Sequence, residues 1–525
     1  MKKMITMILI LSIASLCFAG GRNEGRQASS RENAIIISVG TTFFNSSLDP
    51  VKGGMGYGYQ FTNAPLILVN PSSAYIGSMA TNWSVSNDSL RYTFNLRRGV
   101  RFSDGSSMTA MDVVFTYETV KNNQAENEYV DLTRLASVRA VDDYTVEFTL
   151  SSPYSPFLDT TALLGIVPRN AYNKERFDRY PIGTGPWKVV QYDPNQQIIL
   201  EPNEHYWEGA PSIGRITIVY MENDAALLAA RSGQLDIVMV SPNQASERIN
   251  GMTMHPLETM DIRMISLHVN PEHNRNNIRV GNNVTSDKAV RQALAIGIDR
   301  AKIIQNAFNG IGKPAFGFTS NLLWAGGERY ADNRKAEAAS LLESAGWVYA
   351  RGDNTVRQKN GVRLEFDIYA AEDRYVLIAA LAEDAAALGI KINTHAASWD
   401  DINRQAYTSS VIWGWGQYDP MVIYNLFHSR NAYFNSYNNA IGYSNPAVDG
   451  LIERALSSAS QASAIEYWKQ AQRTANEDFP YLYIVNIEHC YFVSNRLDIS
   501  VNTQIPHPHG HGSPIVCNMK DWKLK

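Results

Sequence analysis

Cysteine is scarce in this chain, with three in 525 residues, and no CxxC pair occurs among them. The usual signature of a cysteine-built metal site or thiol nucleophile is therefore missing. An excess of positive charge is missing too: 47 Lys and Arg stand against 51 Asp and Glu, for a net charge of −4. Mild acidity argues against a nucleic-acid partner, which calls for a basic stripe. No Walker motif and no G-x-S-x-G elbow occurs, and the glycine run Gly53-Gly54-Met55-Gly56-Tyr57-Gly58 lacks the Lys-Ser/Thr of a phosphate loop. Low-complexity tracts and short-period repeats are absent as well, so the chain is expected to fold through most of its length.

Long apolar runs are confined to the start. Lys2 and Lys3 precede the mostly apolar stretch 4–16, and small residues follow around Cys17, Ala19, Gly20 and Gly21. That order reads as a secretory signal peptide, because the apolar stretch falls short of the ~20 residues a spanning helix needs. Cys17 is a candidate for lipidation, and cleavage after Ala19 competes with it. Only Cys490 and Cys517 then remain, as either a bridge or two buried thiols.

A chain this long exceeds the ~250 to 300 residues at which one core stops growing, so at least two lobes are expected. The run 34–40 reads as a buried first strand, and a loop over 41–48 follows it. Alternation over 90–96 predicts a half-buried strand, with strand and turn at 100–105 and a helix over 110–120 capped by Thr109. Strand 216–220, helix 224–231 closed by Gly233, and strand 235–240 form a βαβ unit whose strands should pair in parallel. A second unit is 364–369, 373–388 closed by Gly389, and 390–395. Capped helices are expected at 288–296, 300–309, 334–345 and 446–456, and the chain then carries apolar runs at 481–485 and 491–493. The duplicated βαβ pattern points to two α/β lobes.

Aromatic density peaks at Trp413-Gly414-Trp415-Gly416-Gln417-Tyr418-Asp419-Pro420. Glycines between tryptophans let a ligand approach the backbone, and the rings supply flat walls. A buried strand with aromatic core residues fits the same pattern, Trp413 above all. Asp419 suits either a ligand's ammonium or the N-cap of a helix starting at Pro420. The cluster His507-Pro508-His509-Gly510-His511 has the alternation of a metal site. Its prolines and glycines mark a surface loop, and no acid or cysteine stands beside it, so neither metal nor cofactor is expected.

Tyr92-Thr93-Phe94-Asn95-Leu96-Arg97-Arg98-Gly99-Val100-Arg101-Phe102-Ser103-Asp104-Gly105, continuing through Thr109-Ala110-Met111-Asp112-Val113-Val114-Phe115, resembles the signature of family 5 bacterial solute-binding proteins. Gly183-Thr184-Gly185-Pro186-Trp187, Val290-Arg291-Gln292-Ala293-Leu294 with Ile298-Asp299-Arg300, and Tyr443-Ser444-Asn445-Pro446-Ala447-Val448-Asp449 extend the match in the family's order. The resemblance implies an α/β fold: a two-lobed periplasmic-binding-protein type II clamp with an extra domain inserted in the first lobe. Mapped on this chain, 1–19 is the signal peptide and 20–33 a linker. Residues 34–75, 184–269 and 487–525 are lobe I, 76–183 the extra domain II, and 270–486 lobe III. The hinge crossings then fall near Asn270 and Asn486.

Ligand contacts implied by the resemblance are Thr42, Phe44, Trp413, Trp415, Gly416, Tyr418 and Asp419. In peptide-binding members an Asp three residues after a Trp holds the ligand's ammonium; here Tyr418 stands at that place and the acid follows as Asp419. The expected function is capture of short peptides for an ABC permease in the inner membrane, by a monomer that is periplasmic or held at the cell surface. Nickel chelates, opines and oligosaccharides are other ligands of the same class. An exported hydrolase lacks a recognisable nucleophile and base, and a peptide chaperone would bind broadly and weakly.

Overall fold

The computed structural model describes residues 33–40, 47–54, 61–70, 74–127, 129–318, 322–326, 330–500 and 513–525. Its backbone is one long sheet shared by both lobes. In chain order the main strands are β1 (Ala34–Ser38), β2 (Trp187–Asp193), β3 (Gln197–Pro202), β4 (Arg215–Val219), β5 (Ile237–Val240), β6 (Met252–Ser266), β7 (Glu365–Ala370), β8 (Lys391–Ala396), β9 (Ser410–Trp415) and β10 (Tyr481–Ser494). They lie in the order β8-β7-β9-β6-β10-β5-β1-β4-β3-β2. One end holds the parallel trio β8, β7 and β9, and the other holds β5, β1 and β4 running parallel.

The first βαβ unit differs from its expected pairing. β4 and β5 do not hydrogen-bond to each other; both pair with β1, which lies between them. The crossover helix Asn223–Arg231 thus carries the chain past β1. Ile35 and Ile37 share one face of β1 and are 1% and 0% exposed, while Ile36 on the other face is partly buried, as suits a strand inside a sheet with neighbours on both edges. The second unit is simpler, since β7 and β8 pair directly through Tyr375–Ala386.

Two long strands join the lobes. The runs 481–485 and 491–493 are halves of β10, a single strand of 14 residues, whose middle is half-buried between two buried ends. Its partner β6, 15 residues long, escapes pattern reading because Pro256, Glu258, Asp261 and Arg263 interrupt the apolar periodicity. β6 and β10 run antiparallel along nearly their whole length.

The inserted segment forms its own sheet from Ala80–Val85, Arg91–Leu96, Thr145–Leu150 and Leu135–Asp142, in that spatial order. Helix Ala110–Asn122 covers it, burying Val113, Val114 and Tyr117; Asp112 accepts from the Thr109 backbone N–H at 2.8 Å to fix the helix start. Phe94, Tyr117, Phe148 and Phe157 interlock there, the Tyr117 and Phe148 rings 4.7 Å apart. The expected strand at 100–102 is only an isolated bridge between Arg101 and Ser107, because Asp104 turns the chain by accepting from Ser106 N–H at 2.9 Å. Cys490 is a buried free thiol, pushed up to about 12 by burial, and it forms no bridge with Cys517.

Candidate functional site

The lobes are connected where β6 and β10 lose register. Pairing runs from Met252 opposite Ser494 to Glu258 opposite Glu488, then resumes with Ile262 opposite Asn486. Thr259 fills the gap: its hydroxyl donates to the Ile487 carbonyl at 2.6 Å and accepts from Asp261 N–H at 3.0 Å. Asn486 therefore stands at the irregularity. Asn270 lies beyond the end of β6, where its amide donates to the Tyr433 hydroxyl at 3.1 Å and the Gly442 carbonyl at 2.9 Å. The strand break itself falls at residues 259–261, next to the Ile262–Asn486 pairing.

The aromatic stretch sits against that junction because β9 pairs with β6, Trp415 opposite Ile262 and Trp413 opposite Met264. Trp413 is 4% exposed and packs with Ile402, Val411 and Ala440, stacked on Trp399 at 6.2 Å and tilted on Tyr437 at 5.1 Å. It serves chiefly as core. Trp415 is half-buried, and its indole N–H finds no acceptor among the described residues. Gly416 matters for the space it leaves: a Cβ there would lie 2.0 Å from the Met260 carbonyl oxygen, so glycine is what lets the chain leave β9 against β6.

Past Gly416 the chain enters a cleft between lobe III and the inserted segment. Asp419 accepts from Met421 N–H at 2.8 Å, opening the helix Met421–Phe427; the helix begins one residue later than a Pro420 start. Burial pushes the Asp419 carboxyl up to about 7. Opposite stands Asp159 of the helix Phe157–Leu163, raised well above the usual carboxylate range first by burial and then by the Asp419 charge. The Tyr75 hydroxyl donates to Asp159 at 2.8 Å. Tyr75 and Asp159 line a cavity of about 40 Å³ together with Ser155, Trp324, Tyr418, Pro420 and Trp468. The two walls touch: Ser155 N–H donates to the Leu456 carbonyl at 3.1 Å, and the Ser89 hydroxyl to the Ala459 carbonyl at 2.7 Å.

A cleft between two lobes on crossing strands, walled by aromatics, is the architecture of a ligand clamp, and known proteins share it. Residues 74–434 match the family model described as bacterial extracellular solute-binding proteins, family 5, middle region. The chain belongs to that family. It is thus a substrate-binding component of the ABC-transporter type. This solute-binding protein is 32% identical over 449 residues to Protein XP55 of Streptomyces lividans, covering 82% of this chain and 79% of the relative. It is similar in fold to NikZ from Campylobacter jejuni, solved in complex with Ni(L-His), with a TM-score of 0.77 at 21% identity, covering 94% of this chain and 100% of that one. The oligopeptide-binding protein AppA from Bacillus subtilis, solved with a nonapeptide, matches with a TM-score of 0.69 at 20% identity, covering 94% and 99%.

Of the residues expected at the solute-binding protein's site, Trp415, Gly416, Tyr418 and Asp419 gather between the strand junction and the cleft, and Trp413 backs them from the core. Thr42 and Phe44 lie outside the described residues, as do Cys17 and His507 to His511. Three residues escaped the sequence reading. Asp159 hides in a short apolar segment, and nothing in its surroundings flags it. Arg263 and Arg374, each 8% exposed, lie beside the aromatic stretch. Arg263 stands opposite Gly414 and pairs with the fully buried Asp261. Arg374 covers the Trp399 ring at 5.0 Å, and its Nε–H has no acceptor among the described residues. Burial, then the Arg263 charge, brings Arg374 down to about 10. The available signal was Asp261-x-Arg263, a charge pair inside an apolar strand.

Proposed function

We propose that this protein is exported through the leader at its N-terminus and captures short peptides between its lobes for an ABC permease, with no catalysis of its own. The observation that carries the peptide reading is the half-buried Asp419 carboxyl, set in the chain between the cavity-lining Tyr418 and Pro420 and held up to about 7 by desolvation, which an ammonium group neutralises. The two buried arginines beside β9 give the same stretch of chain a positive side, as a zwitterionic ligand requires. Trp415 and Tyr418 serve as the sequence-tolerant walls, and backbone groups of β9 and its following loop supply pairing for an extended chain. A cavity of about 40 Å³ admits a few waters and no peptide, so the lobes open on the break at residues 259–261 and Asn486 to load it. In this reading domain II spans 76–183, lobe I comprises 34–75, 184–269 and 487–525, and lobe III spans 270–486.

Recovery of bound molecules tests this directly. Protein purified from its own cells is denatured and the released species are identified by mass spectrometry, alongside a defined peptide mixture offered to stripped protein. Peptides with free amino ends, bound and returned unaltered, are the expected result. Metal chelates, sugars or opines in their place contradict the peptide reading, and cleaved peptides contradict the absence of catalysis.

A further inference from the structure

The cavity beside Tyr418 exists only where two distant parts of the chain meet. Val69, Tyr75, Ser155 and Asp159 form one wall. The other comes from the segment Leu322 to Trp324, from Tyr418 and Pro420, and from the helix Gln461–Asn476. Gln461, Ala464, Ile465 and Trp468 recur at the spacing that sets them on one face of that helix. Among the described residues, Asp159 is the only carboxylate in the lining, and no Lys, Arg or His joins it. Asp159 is 8% exposed, and one of its oxygens accepts from the neutral Tyr75 hydroxyl at 2.8 Å. A carboxylate taken out of water without a cation is a costly charge.

Two other polar groups of the lining are unsatisfied. Trp468 is 1% exposed, and its indole N–H has no acceptor among the described residues. The Ser155 hydroxyl on the facing wall is likewise without a partner among them. A space of about 40 Å³ takes about three waters, so these groups and Asp159 border one small volume. Waters alone satisfy Trp468 and Ser155 and leave the Asp159 charge uncompensated. A primary ammonium is about the size of one water and carries three donors. It can serve Asp159, the Ser155 oxygen and one retained water, which in turn accepts from the Trp468 N–H. The bulkier guanidinium leaves no place for that water. Leu322, Leu323 and Ile465 offer apolar wall to the methylene stem that carries such a group, and Trp324 and Tyr418 suit its charge.

We propose that this cavity is a side-chain pocket of the clamp, in which Asp159 selects ligands that bear a lysine-like primary ammonium. This rests on the peptide reading and extends it, since the side-chain cation is a second positive group, separate from the amino end placed at Asp419. Asp159 is the specificity-determining residue, and Tyr75 is a positioning residue that holds it. Both walls are needed to complete the pocket, so a lysine that fills it also favours the shut form.

Calorimetry on protein stripped by unfolding and refolding tests this. The probes are trialanine, the variants of it with lysine at each position in turn, and the same lysine peptides acetylated on the side chain, all with free amino ends. At one position lysine should bind about tenfold to a hundredfold more tightly than acetyl-lysine, the effect of one charge-assisted hydrogen bond. Asp159→Asn should bring that ratio close to one, whereas Asp419→Asn should lower the affinity for every peptide and keep the ratio. A wild-type ratio near one at every position overturns the pocket, and this comparison stands whether or not the variants fold. A ratio that survives Asp159→Asn, or one abolished by Asp419→Asn alone, also overturns it, because the lysine is then read elsewhere. Trialanine bound with no preference for lysine leaves the peptide clamp standing and removes only the pocket; binding of none of these peptides removes both.

Discussion

Asp419 does two jobs with one side chain. One oxygen holds the Met421 N–H at the start of a helix, and the carboxylate sits between Tyr418 and Pro420, both of which line the cavity. Asp419→Asn separates them, because Asn caps helices about as well as Asp while the charge is lost. A charge-assisted hydrogen bond contributes about 1.5 to 3 kcal/mol, so affinity for a peptide with a free amino end should fall roughly tenfold to a hundredfold. N-acetylation of that peptide should weaken wild-type binding strongly and the variant's binding little, as read by calorimetry. Equal wild-type affinities for the free and acetylated forms reduce Asp419 to a cap. This residue was legible because it follows a run of tryptophans and glycines. Asp159 was not: its neighbours Phe157, Leu158 and Leu163 read as plain core, and only folding brings it opposite Asp419. The same holds for Arg374, whose place over Trp399 joins residues distant in sequence.

Elements with their own stop and start signals were readable. Asn445 with Pro446 set the helix Pro446–Leu456, Asp287 caps Lys288–Gly297, and Tyr375–Ala386 ends before Gly389, whose φ is positive. What sequence patterns do not carry is which strands become neighbours: nothing local places β1 between β4 and β5, and nothing local joins the two apolar runs of β10 across its half-buried middle. The junction of β9 with β6 depends on one such tertiary contact, the Gly416 approach to Met260. Alanine there sets a Cβ 2.0 Å from a carbonyl oxygen, and backbone on both sides leaves no flexible side chain to move away. Gly416→Ala should lower stability by about 3 kcal/mol, at the upper end of what overpacking costs. Urea unfolding checks this, and a midpoint equal to wild type shows that the strands separate more easily than the structure indicates.

At the scale of the whole molecule, one sheet runs through both lobes, and its two longest strands lose register near their middle. The two-lobed plan was legible from the duplicated βαβ pattern and the length of the chain. The location of the crossing was not, since polar residues and Pro256 in β6 mask it. Buried side chains form a continuous cluster from the inserted segment, at Tyr154 and Phe157, to the helices Met421–Phe427, Pro446–Leu456 and Gln461–Asn476. The cleft is therefore shut in this structure, and a ligand reaches Asp419 only if those walls part. A ligand that touches both walls shifts the population back to the shut form by its differential affinity for it. Small-angle scattering at neutral pH, on stripped protein with and without saturating recovered ligand, measures this most directly. A clamp that closes on its ligand gives a smaller radius of gyration with ligand than without, and equal radii in the two samples would contradict it.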